Sequence, residues 1–107
     1  MKIQRHKHKP TKVPSPNYIL VDDDNCDSVF PQMEDLDIVA LDIETTGLDP
    51  YEADILLIQI GNDRNQYIFD MKKFTNVDKL INYIRTRKYI IGHNLKFDLK
   101  FLFHNCG

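Results

Sequence analysis

The apolar and polar positions of this chain change rhythm along its length, and each change marks an element. Tyr18-Ile-Leu-Val21 is a short apolar run that predicts a first strand. Asp23 to Met33 reads as a short helix, expected to break at Pro31, which cannot supply a backbone donor. Ile38 to Ile43 is apolar almost throughout, the pattern of a central strand buried on both faces. Ile55-Leu-Leu-Ile-Gln-Ile60 and Gln66-Tyr-Ile-Phe69 flank Gly61-Asn-Asp-Arg-Asn65, which suits a hairpin, so these three strands are expected to form an antiparallel meander. From Asn76 the period lengthens. Val77, Leu80, Ile81 and Ile84 form one helical stripe with Asn76 placed to cap it. Lys88 to Ile91 predicts a short buried strand, and a right-handed crossover would set it parallel to a meander strand. After Gly92, Asn94 can cap a last helix reaching about Asn105.

Composition narrows the class. At 107 residues, 42% hydrophobic and 28% charged, the chain fits one ordinary globular domain rather than a disordered or membrane protein. The net charge of −2 conceals an uneven distribution. Lys2, Arg5, Lys7, Lys9 and Lys12 precede every acidic residue, and with Pro10, Pro14 and Pro16 they make residues 1–17 read as a basic tail. Such a leader either stays solvated or touches nucleic-acid phosphate. The two cysteines, Cys26 and Cys106, are far apart and suggest a reduced, cytoplasmic protein. There is no secretory signal and no 18-residue apolar span, so no membrane partner is expected. The four histidines lack the spacing of a zinc site.

The chemistry concentrates where apolar patterning is interrupted by acid. Asp42 and Glu44 lie two apart in a strand, so both project to one face near the strand's end. Two adjacent like charges there either reach solvent or hold a cation, and their oxygen ligands suit a hard ion, Mg²⁺ or Mn²⁺. Asp98 falls on the same helix face as Leu95 and Leu102, which puts a carboxylate where a leucine is expected. It is either a partnered structural acid or a third ligand.

Two segments then resemble a known family. Leu41-Asp-Ile-Glu-Thr-Thr-Gly-Leu-Asp-Pro50, followed by Leu57-Ile-Gln-Ile-Gly61, resembles the first motif of 3′–5′ exonucleases of the DEDD superfamily, and Gly92-His-Asn-Leu-Lys-Phe-Asp-Leu-Lys-Phe101 resembles the second. The flavour is that of the DNA polymerase I proofreading domain, ribonuclease D and Werner-type exonucleases. The resemblance runs from Tyr18 to Gly107 and implies an α/β, ribonuclease H-like fold, a mixed sheet with helices. It implies hydrolysis of a single-stranded 3′ end of DNA or RNA by two metal ions. Asp42 would bridge both ions, Glu44 would hold the nucleophile-side ion and Asp98 the second. Thr45, Leu48, Asn94 and Phe97 would meet the substrate, although Asn94 also serves as a plain cap, and Leu48 and Phe97 also suit a core.

The family pattern includes a fourth carboxylate from a later helix, with a Tyr or His that orients water, and no such motif follows Asp98. Gly107 after Asn105-Cys106 resembles a helix C-cap, a device used where chain continues. The sequence is therefore read as 18–107, the front portion of an exonuclease domain, to be completed by a C-terminal half or a polymerase domain, and poorly active alone. The competing reading is a non-catalytic nucleic-acid-binding or partner-assembly module on the same fold.

Overall fold

A computed structural model of the chain describes residues 2–5 and 15–105. In chain order these form β1 (Lys2–Arg5), β2 (Asn17–Val21), α1 (Cys26–Met33), β3 (Ile38–Thr45), β4 (Ile55–Gly61), β5 (Asn65–Asp70), α2 (Val77–Arg85), β6 (Tyr89–Gly92) and α3 (Leu95–Asn105). The strands make one mixed sheet in the order β1-β6-β3-β4-β5-β2. β3, β4 and β5 are the expected antiparallel meander. β6 lies parallel to β3, and β2 closes the far edge parallel to β5.

The register divides the sheet into two unlike faces. Val39, Leu41 and Ile43 share one side with Ile58, Ile60, Tyr67, Phe69 and Ile90, and all are buried. Helices cover this side. Phe30 of α1 packs on Phe69 at 5.8 Å and on Tyr83 of α2 at 6.1 Å between ring centres, and Leu95, Leu99, Phe101 and Leu102 of α3 join the same core. The other side carries Ile38, Ala40, Asp42 and Glu44, all exposed. The expectation that β3 is buried on both faces is therefore wrong for this chain. Among the described residues helices sit on one side only, so β3 alternates strictly along its length.

Three local expectations also change. Pro31 does not break α1. It sits one turn from the helix end, so only one internal bond is lost, and the Glu34 N–H still closes on the Phe30 carbonyl at 3.1 Å. Asn76 stands at the α2 cap position without a side-chain cap bond. The entry is fixed instead by Asp23, which accepts the Thr75 N–H at 2.8 Å and its hydroxyl at 2.7 Å and is thereby held below the usual carboxylate range. Within the tail expected over residues 1–17, Lys2–Arg5 adds as an edge strand parallel to β6, whose outer backbone groups are open to such pairing. Residues 6–14, and the C-cap expected at Gly107, lie outside the described residues.

Arg87 is the internal clamp. It is 6% exposed, donates to the carbonyls of Leu36 at 2.8 Å and of Glu34 and Tyr83 at 3.1 Å, and lies 4.0 Å from the Tyr83 ring centre. One planar cation thus ties the exit of α1 to the exit of α2. No helix among the described residues is long and apolar enough to cross a membrane.

A candidate metal centre at the end of the third strand

Strand β3 outlasts its neighbour. β6 pairs with it over Ile38, Val39 and Ala40, so from Asp42 onward the edge of β3 on that side has no strand beside it among the described residues. Gly92 ends β6 against this edge, where a Cβ would stand 2.8 Å from the Leu41 carbonyl oxygen. Only glycine lets the backbone pass so close. The chain then turns into α3, whose first bond runs from the Asp98 N–H to the Asn94 carbonyl at 3.0 Å. Asn94 thus occupies the cap position expected of it.

This path delivers Asp98 to the free edge of β3, where its carboxylate accepts the Ile43 N–H. Asp98 is 3% exposed, and apart from Arg87 it is the only buried charged side chain among the described residues. Its pKa is pushed up to about 6, first by burial and then by the negative charge of Asp42, with the Ile43 N–H acting in the opposite direction. Two carboxylates from distant sequence positions therefore meet, and neither ion pair seen among the described residues, Lys79–Asp27 or Arg87–Glu34, involves Asp98. The donor set is hard and anionic, as a divalent cation requires.

Glu44 shares the open face with Asp42, two residues further along the strand. Among the described residues no three acidic, His or Cys side chains are close enough together to hold an ion by themselves. The structure thus brings Asp42 and Asp98 together and leaves Glu44 beside them rather than folded in.

The substrate-side residues divide similarly. The β3–β4 pairing shifts register after Glu44, with Thr45 opposite Ile55, and such bulges re-aim side chains at strand ends. The Thr45 hydroxyl donates to the Gly47 carbonyl at 2.6 Å and so closes the turn that follows. Leu48 is 85% exposed at the tip, which removes core packing as its reason. Phe97 is half-buried and packs on Phe101 at 5.1 Å, so it does serve the core in part. Sequence reading missed the order in this loop. Asp49 accepts the Ala53 N–H through its carbonyl at 2.8 Å and the Tyr51 N–H through its side chain at 2.9 Å, and the Tyr51 ring lies 4.2 Å from that of His104. The Asp-Pro-Tyr run was the available signal, since Asp and Pro together favour a side-chain-capped turn.

Comparison with known proteins gives the family and the fold. A family model described as 3′–5′ exonuclease matches residues 18–107. DNA polymerase I of Aquifex aeolicus is 40% identical over 72 residues, which is 67% of this chain and 12% of that protein. The chain therefore spans only a small part of that relative. Among solved structures, Brucella melitensis NrnC is 29% identical with a TM-score of 0.59, over 88% of this chain and 45% of that one. The same protein with bound Mg²⁺ gives 26% and 0.56, over 100% and 46%. Bound to pGG it gives 29% and 0.57, over 84% and 43%. Escherichia coli RNase D, 22% identical with a TM-score of 0.70 over 83% of this chain and 24% of that one, shares the fold. These matches favour the exonuclease reading over a non-catalytic assembly module.

Proposed function

This chain belongs to the 3′–5′ exonuclease family whose model spans residues 18–107, and from that premise we propose that it supplies the metal-holding front of a centre that hydrolyses nucleic-acid phosphodiesters from a single-stranded 3′ end, of DNA or RNA. The observation that carries the reading is Asp98: an acid whose pKa is raised first by its own burial and then by the charge of Asp42, in a place where a cation would relieve both charges. Asp42, Glu44 and Asp98 are the residues that would hold two ions, Mg²⁺ or Mn²⁺. Held by these carboxylates, such ions would make water a better nucleophile near neutral pH and would offset charge on the leaving oxygen.

The chain's own groups do the rest. Asn94 and Thr45 flank the carboxylates and would orient the terminal nucleotide by hydrogen bonds, while Leu48 and Phe97 would pack against its base and sugar. Leu48 is free to do so because the loop presents it to solvent. NrnC has been seen with Mg²⁺ and with pGG, which supports both the metal and the nucleic-acid substrate. Cys26 is a free, buried thiol, consistent with the reducing cytoplasm proposed for the protein.

The fourth carboxylate and its water-orienting neighbour would come from a further helical segment, in the same protein or in a partner. The uncovered sheet face supports this. It exposes Ile38, Tyr18 and Leu20 at 51%, 61% and 69% and holds a cavity of about 550 Å³ beside Asp42, and an apolar surface of this kind marks an interface. The test is degradation of 5′-labelled single-stranded DNA and RNA with Mn²⁺. The chain alone should act very slowly. Co-expression with a helical half carrying a Tyr-x-x-x-Asp motif should restore stepwise shortening, and Asp42→Ala should abolish it. Rapid degradation unaffected by Asp42→Ala would refute the proposed centre.

A further inference from the structure

The β3–β4 loop and α3 meet a second time, away from the carboxylates. Tyr51 is 80% exposed, an unusual position for a ring that also packs on another, tilted by 56°, at 4.2 Å between centres. Its partner, His104, is exposed as well, so the pair contributes little to the core. The backbone around it is nevertheless built with care. The Tyr51 N–H is held by the Asp49 side chain, and the Asp54 N–H by the Thr46 hydroxyl, both at 2.9 Å. An exposed aromatic pair on an ordered loop is a surface made to be touched.

Its position gives the ligand. Phe97 and His104 are seven residues apart on α3 and so lie on one face, separated by about 10 Å along the axis at 1.5 Å per residue. Phe97 stands next to Asp98, at the proposed point of cleavage. Stacked nucleotides advance by about 3.4 Å each along one strand, so about 10 Å spans about three of them, and fewer if the strand is extended. Single strands are commonly held by aromatic rings that accept any base. We propose that the Tyr51–His104 pair is a stacking platform for a base a few nucleotides upstream of the 3′ end being cleaved.

This deepens the exonuclease reading and rests on it. The platform requires a strand long enough to reach from Asp98 to His104, so it predicts dependence on length rather than on base identity. Anisotropy of 5′-fluorescein-labelled (dT)₂ and (dT)₁₀, measured on the intact chain with Ca²⁺ in place of Mg²⁺, reads this directly. Tyr51→Ala should weaken (dT)₁₀ binding about tenfold, the scale of one aromatic–base stack. It should leave (dT)₂ within about twofold, and Tyr51→Phe should restore the difference. Because Tyr51 is exposed, loss of folding is not expected, and an unchanged melting curve verifies that. If wild type binds (dT)₁₀ and Tyr51→Ala does not alter it, or if both lengths weaken equally, the platform is refuted while the exonuclease reading stands. If wild type binds neither length, the nucleic-acid reading fails and the platform with it.

Discussion

Replacing Asp98 by asparagine should make the protein more stable at neutral and alkaline pH, not less. Asp98 is buried beside the charge of Asp42, and its pKa rises from 3.8 to about 6. Each tenfold change in proton affinity corresponds to about 1.4 kcal/mol, so folding the ionised form costs about 3 kcal/mol, taken as a ceiling. Below about pH 3.8 the side chain is protonated whether the chain is folded or not, and it adds no pH dependence. Between 3.8 and about 6 the folded chain keeps a proton that the unfolded chain has released, so stability falls as pH rises. Above about 6 the full penalty persists. Asparagine removes the charge and still accepts the Ile43 N–H. Urea unfolding at pH 8 should therefore show Asp98→Asn more stable than wild type by about 2–3 kcal/mol, with the gap closing near pH 4. Mn²⁺ should stabilise wild type and have little effect on the variant, since the ion would relieve the repulsion that asparagine has already removed. A variant less stable than wild type at pH 8 would show that the carboxylate is held by favourable partners and is not an uncompensated charge.

Other substitutions probe the scaffold. Gly92→Ala places a Cβ 2.8 Å from the Leu41 carbonyl, so it should lower stability by about 1–3 kcal/mol and shift α3, read as loss of amide exchange protection at β6. Arg87→Met leaves the carbonyls of Glu34, Leu36 and Tyr83 without their donor and should lower stability by about 2–4 kcal/mol in urea unfolding; a change under about 0.5 kcal/mol would remove the clamp from the account. Leu20→Lys with Ile38→Lys should reduce self-association in sedimentation velocity without lowering the melting temperature, because both side chains are exposed on the open face.

Much of the architecture was legible because it follows from short-range rules. Gly61 lies between two apolar runs and pairs with Gln66 across the hairpin, where an added Cβ would stand 2.8 Å from the Gln66 Cα, so the turn could be read locally. The α2 stripe appeared as Leu80, Ile81 and Ile84 buried along one face. The inward direction of Asp98 followed from the same periodicity. What escaped depends on long-range context. Apolar content in Ile38 to Ile43 says that a strand is buried, but only the placement of helices decides on how many sides. The β1 strand forms because β6 leaves an edge open to Lys2–Arg5, a fact absent from the local sequence. Asp23 caps α2 from 52 residues away, where Asn76 offered the obvious local candidate. In the candidate site the acids were visible as breaks in apolar patterning, whereas the Tyr51–His104 contact joins a turn to a helix that no periodicity connects.

If Asp42, Glu44 and Asp98 form one metal-holding centre, Mn²⁺ titration followed by amide NMR will locate the ion there. Paramagnetic broadening falls off steeply with distance, so it maps the ion onto the sequence. Broadening should begin at Asp42, Ile43, Glu44 and Asp98, saturate, and be lost from this group in Asp42→Ala. Broadening centred on the acidic run Asp22 to Asp24, or equal broadening in Asp42→Ala, would contradict it.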